Sequence, residues 1–345
     1  MGLHAVSQFL KTKFSSLYHK EHLSLFAHET VYFDVASYIY KFTCVYGTHT
    51  NEKVLSYKWF NSFFNLILAF RKNGVIVIPV FDGQAPEAKQ REQQTRRDTR
   101  QKQRVHIEAM RKAIEQYEVS PNVECPVLIR ELKGEPMTVQ SISNLRETMY
   151  KLERQISFVA PEELKFLQSL LSACGICWLQ APEEAEAYCC WFVKNHKGVS
   201  AVASCDTDCI AHQADIIIFE VEAGGSIVYM NTSELLEAFD LDDKQIVDFA
   251  ILVGCDYNAG SRVNGIGPVN ALKLLQKHEN IENIPNINKE VLQYPLIRTL
   301  FNPSYPLDHL DLVKNVPVQL EVLNDLVADR LELNSSILFE LARLA

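Results

Sequence analysis

The chain has 345 residues, with 34 Lys and Arg against 43 Asp and Glu, and is 47% apolar and 22% charged. That balance belongs to a folded globular protein and excludes a disordered or collagen-like chain. The longest apolar runs, at residues 75–81 and 249–253, fall well short of the ~20 residues that cross a bilayer, so no membrane span is expected.

At roughly 150 residues per domain the length allows two domains, or one enlarged α/β domain with an appended helical module, and the second is favoured. Residues 1–7 lack a charged-then-apolar secretory pattern, and Val6 stands where N-myristoylation wants Ser or Thr. The chain is therefore expected to stay inside the cell. Its nine cysteines are scattered through apolar stretches and read as reduced core thiols. Cys174 and Cys177 form a CxxC, but no second pair follows at zinc-finger distance, so packing is preferred to metal binding.

In chain order, Val31, Tyr32 and Phe33 run into Asp34, and residues 75–81 run into Asp82. Both are short runs that stop at a carboxylate, as buried parallel strands do. Helical apolar spacing over residues 59–71 joins them as a right-handed crossover unit. A basic helix is expected from about residue 87 to 117. Between Lys89 and Lys112, nine Lys and Arg, among them Arg96, Arg97 and Arg100, oppose only Glu92, Asp98 and Glu108, a local +6 in a chain of net charge −9. A basic helix on an acidic body suggests one local phosphate-handling element, although a solvated helix face gives the same pattern. Residues 120–137 contain Pro and cannot be one regular element, so residues 85–155 are read as an excursion from the sheet.

Further on, residues 175–179 read as a strand, 182–195 as a helix, and 199–204 and 216–221 as strands. The whole is an α/β pattern, a doubly wound, mostly parallel sheet. After Asp240 the text is helical, with Gly265-Ile266-Gly267-Pro268 opening a helix through Lys277. The expected division is 1–84 and 156–257 for the core, 85–155 for the excursion, and 258–345 for the helical region.

In parallel sheets, ligands gather beyond the carboxyl ends of the strands. Asp34, Asp82, Asp206, Asp208 and Asp256 all fall at such places, and Glu184 and Glu186 join them at the start of the 182–195 helix. Singly, each has an ordinary explanation as a helix cap or first-turn acid. Seven converging on one crevice would repel unless cations neutralised them, and ligand sets of oxygen alone select Mg²⁺ or Mn²⁺. Two metals ~4 Å apart activate water and polarise a phosphodiester, so the reaction class is phosphodiester hydrolysis. The Gly265 to Pro268 turn could carry a phosphate on its open amides or could be a plain helix start.

These phrases resemble the flap endonuclease family of XPG-type, structure-specific 5′ nucleases. The resemblance rests on Phe33-Asp34 with Tyr40, Phe81-Asp82-Gly83 with Pro86, Ala181-Pro182-Glu183-Glu184-Ala185-Glu186-Ala187, Ser204-Cys205-Asp206-Thr207-Asp208-Cys209, and Gly254-Cys255-Asp256-Tyr257 followed by Gly265-Ile266-Gly267-Pro268. It implies a PIN-like core with a helical arch and a helix-two-turn-helix module. By that resemblance Asp34, Asp82, Glu184 and Glu186 serve one metal, and Asp206, Asp208 and Asp256, sharing Glu186, the other. Lys89 and Arg96 correspond to gateway cations that steer the scissile phosphate, or else to surface salt-bridge partners. Arg97 and Arg100 extend that DNA-facing charge. Tyr40 stacks on a base near the junction or packs in the core. Gly265 and Gly267 grip duplex phosphates, with a K⁺ ion held nearby, and Met1-Gly2 lies near the active site.

The 95 positions from Lys89 to Glu184 exceed what a compact member needs, and residues 331–345 read as a short apolar helix without a sliding-clamp-binding box. The expected partner is branched or flapped DNA, bound by a monomer without clamp tethering. The expected compartment is nuclear, or cytoplasmic for a viral protein. An RNA endonuclease of the same fold and a catalytically inactive branched-DNA scaffold are the alternatives.

Overall fold

A computed structural model of the chain describes residues 3, 5–46, 52–121, 125–156, 159–196, 198–258, 261–305, 316–328, 330 and 333–344. Seven strands, β1 (His19–His22), β2 (Thr30–Asp34), β3 (Ile76–Phe81), β4 (Leu179–Gln180), β5 (Val199–Ala203), β6 (Ile216–Val221) and β7 (Ser226–Asn231), form one sheet in the order β1-β7-β6-β5-β2-β3-β4. From β6 to β4 every pairing is parallel, while β7 and β1 add an antiparallel edge. The doubly wound, mostly parallel α/β sheet read from the sequence is therefore the observed fold.

The central strands are apolar throughout because both faces are covered. Along β2, Tyr32 enters one core beside Ile78, Val202 and Ile217, and Val31 and Phe33 enter the other beside Val77, Ala201 and Ile218, as the two-residue period requires. Phe33 stacks on Tyr38 at 4.4 Å and meets Phe63 edge-on at 5.6 Å. Burying each such ring contributes about 2–3 kcal/mol.

The helices follow in order. Helix α1 (Val6–Lys13) seals the first core through Val6 and Leu10, α2 (Val35–Tyr46) leaves β2 at Asp34, and α3 (Glu52–Lys72) is the crossover to β3. A 3₁₀ turn (Glu87–Lys89) then starts α4 (Gln90–Val119), which at 30 residues is about 45 Å long. It is followed by α5 (Pro126–Leu132) and by α6 (Val139–Gln155), whose N-terminus the Thr138 side chain caps. These three build their own apolar cluster: Ile107, Met110 and Ile114 of α4 pack with Leu128 and Leu132 of α5 and with Ile142, Leu145 and Met149 of α6. Arg111 pairs with the buried Glu153, tying α4 to α6, and α6 leans on α2.

Returning to the sheet, the chain forms α7 (Pro161–Ala173) and α8 (Ala185–Asn195), the short α9 (Asp208–Ala211), then α10 (Thr232–Phe239) and α11 (Asp243–Val253). Helices α12 (Pro268–His278), α13 (Lys289–Leu292) and α14 (Tyr294–Leu300) complete the first core, and Arg298 of α14 grips the buried Asp248 of α11 through two 2.7 Å hydrogen bonds. The chain closes with α15 (Leu320–Ala328) and α16 (Ser335–Leu344), which lays Ile337, Leu338 and Leu341 into the second core against α3.

Three readings change in detail. Of the strand expected over 175–179 only Leu179 pairs with β3, joined by Gln180 just beyond it, and the helix expected from residue 182 starts at Ala185. The antiparallel edge was not legible. All nine cysteines are free, six of them buried, and no helix among the described residues is long and apolar enough to cross a membrane.

Candidate active site

The carboxyl ends of β2, β3 and β5 open into one crevice. Asp34 closes β2, where its Oδ2 accepts from Ser204 Oγ at 2.7 Å and its Oδ1 from the Ser37 N–H at 3.3 Å. Asp82 follows β3 and accepts the Ala185 N–H at 2.8 Å, so a residue from another element caps α8. That contact needs the loop after β3 to lie against residues 181–183. The Gly83 N–H donates to Glu183 O at 2.5 Å, and a Cβ at Gly83 would collide with the Ala181 and Pro182 carbonyl oxygens. Glu184 is then the residue before α8, and Glu186 lies in the first turn.

Beyond β5, the Asp206 N–H donates to Ser204 Oγ at 3.1 Å, while Asp206 Oδ1 accepts the Asp208 N–H at 3.0 Å. Ser204 thus links the carboxylates beyond two strands. Asp256 sits in a 3₁₀ turn (Asp256–Asn258) reached through Gly254, whose φ of 104° is open to glycine. Asp34, Asp82, Glu184, Glu186, Asp206 and Asp256 line a single crevice of about 190 Å³, with Lys89 from the turn before α4 and Glu92 and Arg96 from α4 on its other side. A larger cleft of about 1060 Å³ lies between α11 and α14, and its Asp248 and Glu282 are already engaged by Arg298.

Asp208 lies behind the crevice, fully buried, with neither carboxylate oxygen hydrogen-bonded among the described residues. Burial, together with the charges of Asp206 and Asp256, pushes its carboxyl well above the usual range. Burial raises Glu186 likewise, and raises Asp34 to about 7 with Asp82 adding to the effect. The compensating charge comes from the turn before α4 and from α4 itself. Lys89 Nζ pairs with Glu184, with Glu186 at 3.4 Å and with Asp256 at 3.2 Å. Burial alone would lower that amine, but Glu186, Glu184 and Asp256 override it and hold Lys89 protonated. Arg96 donates to Asp256 at 3.0 Å and pairs with Glu92. Tyr257 donates its hydroxyl to Glu184 at 2.6 Å.

Oxygen-only ligands fit hard divalent cations. Two buried carboxylate oxygens without a donor, as at Asp208, are what such an ion would satisfy. Among the described residues no three His, Cys, Asp or Glu side chains are gathered into a ready cage, and the Lys89 ammonium stands between Glu184, Glu186 and Asp256. The donor set fits, with a lysine as its counter-ion.

The remaining predicted residues separate into two places. Lys89 is 8% exposed and points inward, so its ion pairs are buried in the crevice and are not those of a surface salt bridge. Tyr40 is 41% exposed on α2, near Arg96 and Arg100, and is not a core residue. Arg97 is exposed and Arg100 half-buried on α4. Gly265, at φ 83°, and Gly267, immediately before α12, have nothing within 4 Å of where a Cβ would stand, so the backbone of that turn is open. Met1 and Gly2 lie outside the described residues. Sequence reasoning missed Ser204, Gly83 and Tyr257; Ser204 and Gly83 lie within two residues of a carboxylate they serve, which was the available signal, whereas Tyr257 adjoins Asp256 but bonds Glu184, 73 positions away.

The description of the XPG N-terminal domain matches residues 1–103, and that of the XPG I-region matches residues 175–256. The chain belongs to the XPG family of flap-endonuclease-type proteins. All seven carboxylates, Lys89 and Arg96 fall inside the two XPG segments. The probable RAD2-like endonuclease 369L of Invertebrate iridescent virus 6 is 26% identical over 346 residues, covering 92% of this chain and 82% of that protein. Flap endonuclease 1 of Methanococcus aeolicus is 27% identical over 247 residues, covering 71% of this chain and 65% of that one. Among solved structures, the flap endonuclease-1 from Methanococcus jannaschii superposes with a TM-score of 0.63 at 19% identity, covering 96% of this chain and 98% of that one. The catalytic core of Rad2 in complex with DNA substrate gives 0.60 at 18% identity, with both chains wholly covered. At these identities the structures speak to the XPG fold.

Proposed function

We propose that this XPG-family chain is a divalent-metal-dependent, structure-specific 5′ nuclease that hydrolyses phosphodiesters at DNA flaps or junctions. The observation that supports it most is the convergence of six carboxylates on one crevice with the unpartnered Asp208 behind them. In this reading Asp34, Asp82, Glu184 and Glu186 hold one ion, and Asp206, Asp208 and Asp256 hold a second, with Glu186 shared. Bound Mg²⁺ or Mn²⁺ would supply Lewis acidity toward the phosphoryl oxygens and neutralise developing charge.

The protein's own groups do the rest. Ser204 fixes Asp34 and the Asp206 backbone, so the carboxylates beyond β2 and β5 keep one spacing. Lys89 and Arg96 carry the donors that a phosphate would meet, and exchanging a carboxylate for a phosphate keeps both charge-assisted. Tyr40, beside Arg96 and Arg100, offers a stacking face to an unpaired base. The open Gly265 and Gly267 backbone before α12 receives duplex phosphates, with K⁺ at the same turn. A junction-resolving enzyme of similar fold, binding potassium, prompts that last assignment.

Single-turnover cleavage of a 5′-flap, a blunt duplex and a single-stranded RNA, in Mg²⁺ and in EDTA, tests the reading, with Asp206→Ala as the contamination control. Flap incision at the junction that requires both Mg²⁺ and Asp206 is the expected result. Preferential RNA cutting, or junction binding without cleavage, would replace it.

A further inference from the structure

We infer that Tyr257 is a positioning residue that presents Glu184 to the cation at the centre of the site, an inference resting on the nuclease reading above. Tyr257 is 5% exposed and stands behind the crevice wall. It is placed to act through a carboxylate, with no direct access to a substrate.

Glu184 precedes the first turn of α8 and makes no capping hydrogen bond of its own, so its helix does not fix its rotamer. Its side-chain partners among the described residues are Lys89, on Oε1, and Tyr257, on Oε2. A hydroxyl facing a carboxylate can only donate, and 2.6 Å is the short range of a charge-assisted bond. The ring that carries this hydroxyl is itself held. Phe301 meets it edge-on at 5.1 Å, and the Lys89 ammonium lies 5.7 Å from its centroid. Anchoring Oε2 from behind leaves Oε1 directed to the point where Lys89 now provides the positive charge. The same turn therefore supplies one carboxylate, Asp256, and orients another, Glu184. Once Lys89 turns to a phosphate, the Tyr257 bond is what still holds Glu184.

Tyr257→Phe removes the donor and keeps the ring. Mn²⁺ titration calorimetry on the full chain without DNA reads the effect, alongside the thermal midpoint in EDTA. Losing a partner that orients a metal-holding group weakens affinity by roughly 10–100-fold, so the Mn²⁺ affinity should fall at least tenfold while the midpoint in EDTA drops by no more than the few degrees that one lost buried hydrogen bond costs. The Mg²⁺ concentration for half-maximal single-turnover cleavage should rise by a similar factor, with the rate at saturating Mg²⁺ nearly restored. In a Glu184→Gln background the same Tyr257→Phe change should add nothing, because the tyrosine acts through that carboxylate. An unaltered Mn²⁺ affinity, or a loss that adds fully to that of Glu184→Gln, would overturn the inference while leaving the nuclease reading in place. A wild-type chain that binds no Mn²⁺ would instead overturn that reading, and this inference with it.

Discussion

Lys89 is the cation that pairs with three carboxylates of the crevice, and replacing it with Met isolates that role, since Met fills the apolar stem and omits the ammonium. Lys89 is 8% exposed and touches Glu184, Glu186 and Asp256, themselves nearly buried. Removing one partner from a buried ionic cluster costs about 3–5 kcal/mol because the remaining charges are left uncompensated. Arg96 stays on Asp256 and Tyr257 on Glu184, which places the expected loss near the lower end, about 3 kcal/mol. For a chain of 345 residues that corresponds to a fall of roughly 4 °C in the thermal midpoint in EDTA. Divalent ions offer the same carboxylates another positive charge. In saturating Mg²⁺ most of the deficit should therefore vanish, while the single-turnover cleavage rate drops by about a hundredfold or more through loss of a phosphate-facing donor. Differential scanning fluorimetry under the two conditions makes the comparison. An equal deficit with and without Mg²⁺, or none in EDTA, would refute the assignment of Lys89 as counter-ion to a cation site.

Three further outcomes are expected. Gly83→Ala drives a methyl into the Ala181 and Pro182 carbonyls, which belong to stiff backbone, so stability should fall by about 3 kcal/mol and Asp82 should lose its hold on α8; a urea midpoint equal to wild type would contradict this. Gly267→Val meets open space at an ordinary φ of −103°, so folding should be unaffected while duplex binding weakens and its salt dependence flattens; unaltered affinity across a salt series would leave the turn without a DNA role. Burial lowers His212 to about 3, with the Lys89 charge acting in the same direction, against about 6.5 in the unfolded chain. The unfolded state then holds the extra proton between those values. The stabilisation from the neutral ring is complete above pH ~6.5 and drains as pH falls, by about 2 kcal/mol at pH 5. Urea unfolding of His212→Gln should lack that acid slope, and superimposable curves would show that His212 does not titrate between the two states.

How much of this was legible depended on whether a signal was local. Strands β2, β3, β5 and β6 are apolar at nearly every position because both faces are covered, and they were readable for that reason. Strand β1, His19-Lys20-Glu21-His22, has no such signature. It is a strand because His19 to His22 pair with Tyr229 to Ser226 across the chain. Residues 176–178 carry the apolar look of a strand, yet only the next two residues reach β3. Helix α8 starts late because Glu183 turns its carbonyl to Gly83 and Glu184 stays extended. In the site, seven acids at strand ends and helix starts were visible in the text. That Lys89 would lie among them was not, since it depends on how the turn before α4 leans against the Asp256 turn. Tyr257 was in view as a neighbour of Asp256, but its bond to Glu184, 73 positions away, belongs to the folded chain alone.

The apolar cluster that α4, α5 and α6 share has an evolutionary consequence. A segment that buries its own leucines and isoleucines can gain or lose turns without asking the sheet to repack. In the nuclease reading, descendants of such a chain are free to vary this segment while the carboxylates of the crevice stay under unchanged constraint. Substitutions accepted between residues 105 and 150 should therefore track the range of partners a lineage encounters, and those around Asp34, Ser204 and Glu186 should track nothing but the reaction.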